Sequence, residues 1–229
     1  MEQSSPGQRL RRPVRPVNKM LRLLVVVFTL GVLSAAPDTV QILEELAPEE
    51  VSDQIRPALS NRLYKVELKG NSTAEFWFRD EMPVREGSQG DLGVNFGLFK
   101  RGALLGIVRF SSQWKDYKES AVKAGVYALR YAAQPADGDH TGVSLYRDFL
   151  LLVPAGQDQE PDGEYTQQQL VAMSKGASGS THPVVMGMFP VWDEPESESV
   201  VSNELDQPTL VVKSTGVTFG LVLLGHGEF

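Results

Sequence analysis

Three histidines and a few short serine motifs are the first residues in this chain whose type and spacing suggest metal or catalytic chemistry. They occur in Asp137-Gly138-Asp139-His140, Thr181-His182-Pro183 and Gly225-His226-Gly227, all glycine-rich or proline-adjacent stretches that read as loops. Asp137, Asp139, His140 and His182 offer hard oxygen and imidazole donors suited to zinc or another divalent ion, provided folding joins the two loops. There is no H-E-x-x-H or comparable local pair, and Asp-Gly is a common turn, so this metal site rests wholly on convergence of separate loops. A calcium site at Asp137 and Asp139 lacks the further acids that an EF-hand loop needs.

The serine motifs are weaker. Ser112-Gln113-Trp114-Lys115 fits S-x-x-K, but its serine leaves a strand pattern where a buried helix start is required, and Lys213-Ser214-Thr215-Gly216 has one residue too many for K-T-G. Gly176-Ala177-Ser178-Gly179-Ser180 misses G-x-S-x-G at its last position and follows a helix pattern instead of a strand. No catalytic residue and no cofactor are assigned on this basis.

Aromatic residues suggest recognition instead. Trp77 falls on the polar side of its strand pattern, and Trp114 and Tyr117 sit in a charged stretch, so their flat rings are candidates to face a glycan or a peptide. The competing reading is that a second layer or the N-terminal segment covers Trp77.

The elements that must position these residues follow from hydrophobic period. Asp38 to Arg62 reads as two short helices, with Asp38 or Thr39 as N-cap, apolar Val40, Leu43 and Leu46 at helical spacing, and breaks at Pro48 and Pro57. From Leu63 the period becomes two: Tyr64, Val66 and Leu68 alternate with charged residues, and Phe76 and Phe78 continue the pattern. Val94–Phe99 with Ala103–Phe110, and Thr209–Lys213 with Val217–Leu224, each flank a short glycine-containing connection and are expected as hairpins. Val126–Ala132, Phe149–Val153 and Pro183–Val191 supply further strands, Phe149–Val153 being apolar on both faces and hence central. Thr166 and Gln169 form a capping box for one inserted helix, with Leu170, Val171 and Met173 as its apolar face and Lys175-Gly176 as its stop. Two acidic stretches, Gly156–Glu164 and Asp193–Asp206, read as solvated, mobile loops; the second holds six acids and no base. Short strands without strand-helix alternation predict a mostly β fold, an antiparallel β-sandwich with short N-terminal helices and one inserted helix. An outer-membrane barrel needs longer alternating strands than these.

Nine residues, Lys123-Ala124-Gly125-Val126-Tyr127-Ala128-Leu129-Arg130-Tyr131, contain an A-G-x-Y-x-L strand entry. It resembles the one in secreted bacterial β-sandwich domains, including pre-peptidase C-terminal-like domains and uncharacterised families. The resemblance implies a non-catalytic domain and assigns no functional residue. By period, Tyr127, Leu129 and Tyr131 face the core and Val126, Ala128 and Arg130 the other side.

The N-terminus gives an address. Six Lys and Arg residues precede the apolar run Leu23–Leu33, which ends in Ser34, Ala35 and Ala36, the order of a secretory signal peptide. The run is short of the roughly 20 residues of a spanning helix, so cleavage between Leu33 and Thr39 is expected. Met20 is an alternative start to Met1. The expected organisation is residues 1–36 as signal, 37–62 as a helical N-terminal segment and 63–229 as one β-sandwich domain, periplasmic or secreted, with membrane contact only through an uncleaved signal. The chain has no cysteine, which excludes disulfides, thiolate metal sites and a cysteine nucleophile. Of 22 basic and 29 acidic residues, the first 36 positions hold six and one, leaving 16 against 28 and a formal charge of -12. Such a surface repels phosphate backbones, so no nucleic-acid partner is expected.

Overall fold

The computed structural model describes Met1 and residues 38–69, 72–85, 87, 92–135, 144–178 and 182–225. The signal segment, apart from Met1, and the Asp137, Asp139, His140 and His226 positions lie outside the described residues. Residues 35–229 cluster as one unit.

The described residues are mostly β, 43% in strand or bridge with one α-helix among them. The strands are β1 (Thr39–Glu44), β2 (Leu59–Leu68), β3 (Ser72–Arg79), β4 (Leu104–Phe110), β5 (Trp114–Lys115), β6 (Ala121–Val122), β7 (Gly125–Ala133), β8 (Asp148–Pro154), β9 (Val185–Phe189), β10 (Val200–Ser202), β11 (Pro208–Ser214) and β12 (Val217–Val222), with α1 spanning Gln167–Ser178. Ten of them form one antiparallel sheet in the order β1-β2-β3-β4-β7-β8-β9-β12-β11-β10, while β5 and β6 make a separate small pair. In place of two stacked layers, this sheet curls into a nearly closed, barrel-like form. Alternation fills it: Tyr64, Val66 and Leu68, Phe76 and Phe78, Tyr127, Leu129 and Tyr131, Leu150 and Leu152, and Leu210 and Val212 belong to a single inner core. The connection from β3 to β4 adds Met82, Phe96 and Phe99, and the β5–β6 region adds Trp114 and Val122. Phe99 lies 5.4 Å from the Tyr131 ring and Phe110 stacks on Trp114 at 4.9 Å. The edges β1 and β10 share no ladder; Glu198 bridges the seam, accepting from Arg62 at 2.9 Å and from the Tyr64 hydroxyl at 3.3 Å.

The N-terminal helices expected over 38–62 are replaced by strands. Thr39–Glu44 pairs with Glu67–Arg62, Asp38 accepts the Lys69 N–H at 2.7 Å, and the helical content is one 3-10 turn at Arg56–Ala58. Leu43 and Leu46, whose spacing suggested a helix face, are exposed. The ladder to β2 satisfies Thr39–Glu44 with β-branched residues that favour a strand, so tertiary pairing overrides the local period. The N-terminal hairpin is also absent: Phe99 makes a single bridge to Val84, and β4 pairs with β3 and β7. The C-terminal hairpin forms as expected, with Ser214 opposite Val217 and Gly216 at φ 83°, a conformation that favours glycine. β8 is central between β7 and β9.

The outer face of β7 is covered in three stages. Val126 and Ala128 pack beneath Ala47, Val51 and Ile55 of the N-terminal segment. Ala132 packs with Leu170 of α1. Between them Arg130, fully buried, donates to both carboxylate oxygens of Asp158 at 2.7 and 2.6 Å, to the Gly102 carbonyl at 2.7 Å and to the Glu160 carbonyl, with the Tyr165 ring 5.0 Å away. The acidic stretch 156–164 is therefore a strap over a buried guanidinium: Asp158 is buried beneath it, while its other acids, Glu160, Asp162 and Glu164, are exposed as the composition predicts.

The capping box of α1 forms in both directions: Thr166 Oγ1 accepts the Gln169 N–H at 3.2 Å, and Gln169 Oε1 accepts the Thr166 N–H at 2.8 Å. Gly176 does not stop the helix, which runs on to Ser178; a Cβ there would meet Pro154 and Gln157 at 3.3 Å, so glycine permits close approach of α1 to the end of β8. Among the described residues no helix is long and apolar enough to cross a membrane.

Candidate functional site

Beneath the N-terminal half of α1 lies a cleft of about 120 Å³ whose floor is the outer face of β8 and β9. Phe149 and Leu151 face outward there and pair across the ladder with Gly187 and Val185. Gly187 lets the Tyr117 ring lie directly on the strand, since a Cβ would stand 3.0 Å from two ring carbons. Tyr117 is fixed further by its N–H to the Val185 carbonyl at 3.0 Å and by the Ser144 hydroxyl, which donates to its phenol oxygen at 3.3 Å. Tyr146 closes the far side, its ring edge-on to Phe189 at 4.8 Å. α1 forms the roof with Gln167 and Val171.

Two buried carboxylates build this frame, and both are saturated by donors. Asp116 accepts from the Lys118 and Ser120 N–H groups at 2.9 and 2.7 Å and from Val185 at 3.3 Å, pinning the tight turn that carries Tyr117 and contains Glu119 at φ 61°. Burial pushes its carboxyl above the usual carboxylate range, against the pull of those N–H groups. Asp148 accepts from the Asn95 and Phe96 N–H groups at 2.7 and 3.1 Å and from the Tyr131 hydroxyl at 2.7 Å. Burial, followed by the Asp148 charge, drives the Tyr131 phenol far up from its ordinary value. These acids act as structural acceptors. Gln167 lines the cleft, and its Oε1, buried behind that lining, has no hydrogen-bond partner among the described residues.

The aromatic residues selected from sequence are placed in three different clusters. Trp77, fully buried, packs under the N-terminal segment, donates its indole N–H to the Glu45 carbonyl at 2.9 Å and lies 5.3 Å below the Arg109 guanidinium. Trp114 is in the inner core and donates to the Leu223 carbonyl at 3.0 Å. Tyr117 alone lines the cleft. They share no surface groove, because the N-terminal segment and the β5–β6 pair supply the cover that sequence left open. His182 is exposed and lines a second hollow together with Lys118, Ser120 and Pro183. Among the described residues no group of three or more His, Asp or Glu side chains is arranged to hold a metal.

Sequence reading missed Tyr146, Gln167, Val171 as a cleft residue, and the exposed Trp192. The last had a signal: an aromatic residue in Val191-Trp192-Asp193-Glu194-Pro195, an acidic proline-bearing stretch with no strand partner in the pattern. The chain matches no protein-family model, no curated protein and no solved structure.

Proposed function

We propose that this protein is an extracytoplasmic, non-catalytic binding module that seats a small apolar or aromatic group, such as a peptide side chain or the flat face of a sugar, beneath α1. The observation that carries the reading is the cleft itself, with an apolar floor of Phe149, Leu151 and Tyr117 and a roof that includes Gln167, whose Oε1 is buried without a partner among the described residues. A mostly apolar cleft with one directional polar group is the common design of small-ligand sites. A turn of the Gln167 amide toward the cleft would let a donor on the ligand pair that oxygen and relieve the cost of leaving it buried and unpaired. Export is supported by the basic, apolar, small-residue order of residues 1–36. Thr39 opens β1, so cleavage between Leu33 and Thr39 spares the β1–β2 ladder. The resemblance of residues 123–131 to secreted bacterial β-sandwich domains agrees with a non-catalytic role.

A glycan and peptide screen by ligand-observed NMR tests the reading. Binders are expected to lose saturation transfer with Val171→Trp, which fills the cleft, and to weaken about tenfold with Gln167→Leu, the value of one modest hydrogen bond. Binders indifferent to both substitutions would sink it. N-terminal sequencing of exported material checks the address; an intact, membrane-held N-terminus would refute cleavage.

A second reading, a metal-dependent hydrolase using Asp137, Asp139, His140 and His182, has one observation in its favour. Pro135 and Ser144, which flank residues 136–143, line the same cleft as Pro183, the neighbour of His182. Metal analysis separates the two. The binding module predicts no stoichiometric metal and an unchanged fold in the double variant His140→Ala, His182→Ala; zinc at one equivalent, lost in that variant, would install the hydrolase.

A further inference from the structure

The most exposed tryptophan sits on a surface that the cleft does not use. Trp192 is 75% exposed, and Leu145 and Leu205 are exposed at 53% and 39%. Trp192 and Glu204 meet at one phenol, and the two leucines adjoin this contact in the chain. Tyr146 donates its hydroxyl to Glu204 at 2.6 Å, its oxygen faces the Trp192 indole N–H as acceptor, and Leu145 and Leu205 are the chain neighbours of Tyr146 and Glu204. Tyr146 is braced from behind by Phe189. A large aromatic side chain held at a surface on a braced support, with exposed leucines adjoining that support in the chain, has the composition of an interface anchor. Its surroundings define the occupant by charge: residues 193–206 hold six acids and no base, and an indole face attracts a cationic side chain.

We propose that Trp192, Leu145 and Leu205 form a docking surface for a basic protein segment that also carries apolar side chains. The surface is separate from the cleft reading, sharing only Tyr146 as a common wall. A lysine or arginine of the partner would lie over Trp192 and its aliphatic residues against Leu145 and Leu205, with the acidic segment steering the approach.

Calorimetric titration of the full chain with a synthetic peptide of alternating Lys and Leu tests this. A Glu–Leu peptide and phosphatidylcholine vesicles serve as the other arms. Saturable binding of the Lys–Leu peptide is expected, at least tenfold weaker in Trp192→Ala and in high salt, and unchanged in Val171→Trp. Because Trp77 and Trp114 are buried, a blue shift of tryptophan emission on binding reports Trp192. Trp192→Ala is expected to leave the melting curve unmoved, so its loss of binding is not loss of fold. No binding, equal binding by Trp192→Ala, preference for the acidic peptide or the vesicles, or self-association abolished by Trp192→Ala would each overturn the proposal, the last in favour of a second copy as occupant.

Discussion

Two acidic stretches of similar composition, both largely exposed, are anchored differently in this molecule: the first sinks one acid, Asp158, into the interior, and the second buries none. Residues 156–164 close over a buried guanidinium, with Asp158 itself fully buried. Residues 193–206 stay at the surface, held by Glu198 to Arg62 and Tyr64, by Lys213 to the Glu196 carbonyl at 3.4 Å, and by Tyr146 to Glu204. Acid content does not separate them. The partner does: Arg130 points from the middle of a central strand and cannot reach water, so the first stretch must come to it, whereas Arg62 is half exposed and needs nothing. A buried charge recruits its cover because leaving it unpaired costs several kcal/mol. An exposed one recruits little.

The largest effect that would break this comparison is at Arg130. Arg130→Ala strands the Asp158 carboxylate and is expected to cost about 3–5 kcal/mol in denaturant unfolding, while the paired replacement Arg130→Met with Asp158→Leu recovers most of that. A loss below about 1 kcal/mol would place the strap among ordinary surface loops. On the opposite face of the same strand, Leu129→Ala removes inner-core volume and is expected to cost about 2–5 kcal/mol. An unmoved melting temperature would mean the register of β7 is wrong.

The second stretch gives smaller, pH-dependent effects. Burial above all, with the Glu198 charge, pushes the Tyr64 phenol up to about 12 against the pull of Arg62. The fold thus favours the neutral phenol. Stability from this group is whole below the unfolded value near 10, falls between there and about 12, and amounts to roughly 2–3 kcal/mol. Tyr64→Phe should flatten alkaline unfolding in that window; an unchanged profile would detach Tyr64 from the seam. Smallest is Glu198→Gln. Burial raises the Glu198 carboxyl, but its own backbone N–H, Arg62 and Tyr64 outweigh that and hold it below the usual range. Its contribution is present above the unfolded carboxylate value and lost as pH falls through the folded one. With Arg62 half exposed, at most about 1 kcal/mol is expected at neutral pH. A loss matching that of Arg130→Ala would erase the contrast between the two stretches.

Much of the sheet was legible because period-two alternation survives wherever one face meets the inner core: Tyr64 to Leu68, Phe76 and Phe78, and Tyr127 to Tyr131 all face as the pattern requires. Thr215-Gly216 and the Thr166/Gln169 box were legible because their chemistry is local. Thr39–Glu44 was not, since its strand exists only through pairing with β2. Arg130 could be placed on the outer side of its strand, but nothing local says that Asp158, 28 positions later, will bury it. The cleft was legible only through Tyr117, because Gln167 and Tyr146 acquire their roles from the way α1 and the 144–146 segment meet β8 and β9.

The order of the last four strands has a mechanical consequence. β10, β11 and β12 pair with one another in sequence, and the three join the rest of the sheet through β12 and β9, where the ladder has two register pairs, Gly220 with Phe189 and Leu221 with Met188. The ladders on either side of it, β11 with β12 and β8 with β9, have six and three. Tension applied along the C-terminal end would therefore meet its weakest line at this joint, and the terminal three strands would peel away as one flap, exposing Phe219 and Leu221 before the longer ladders yield.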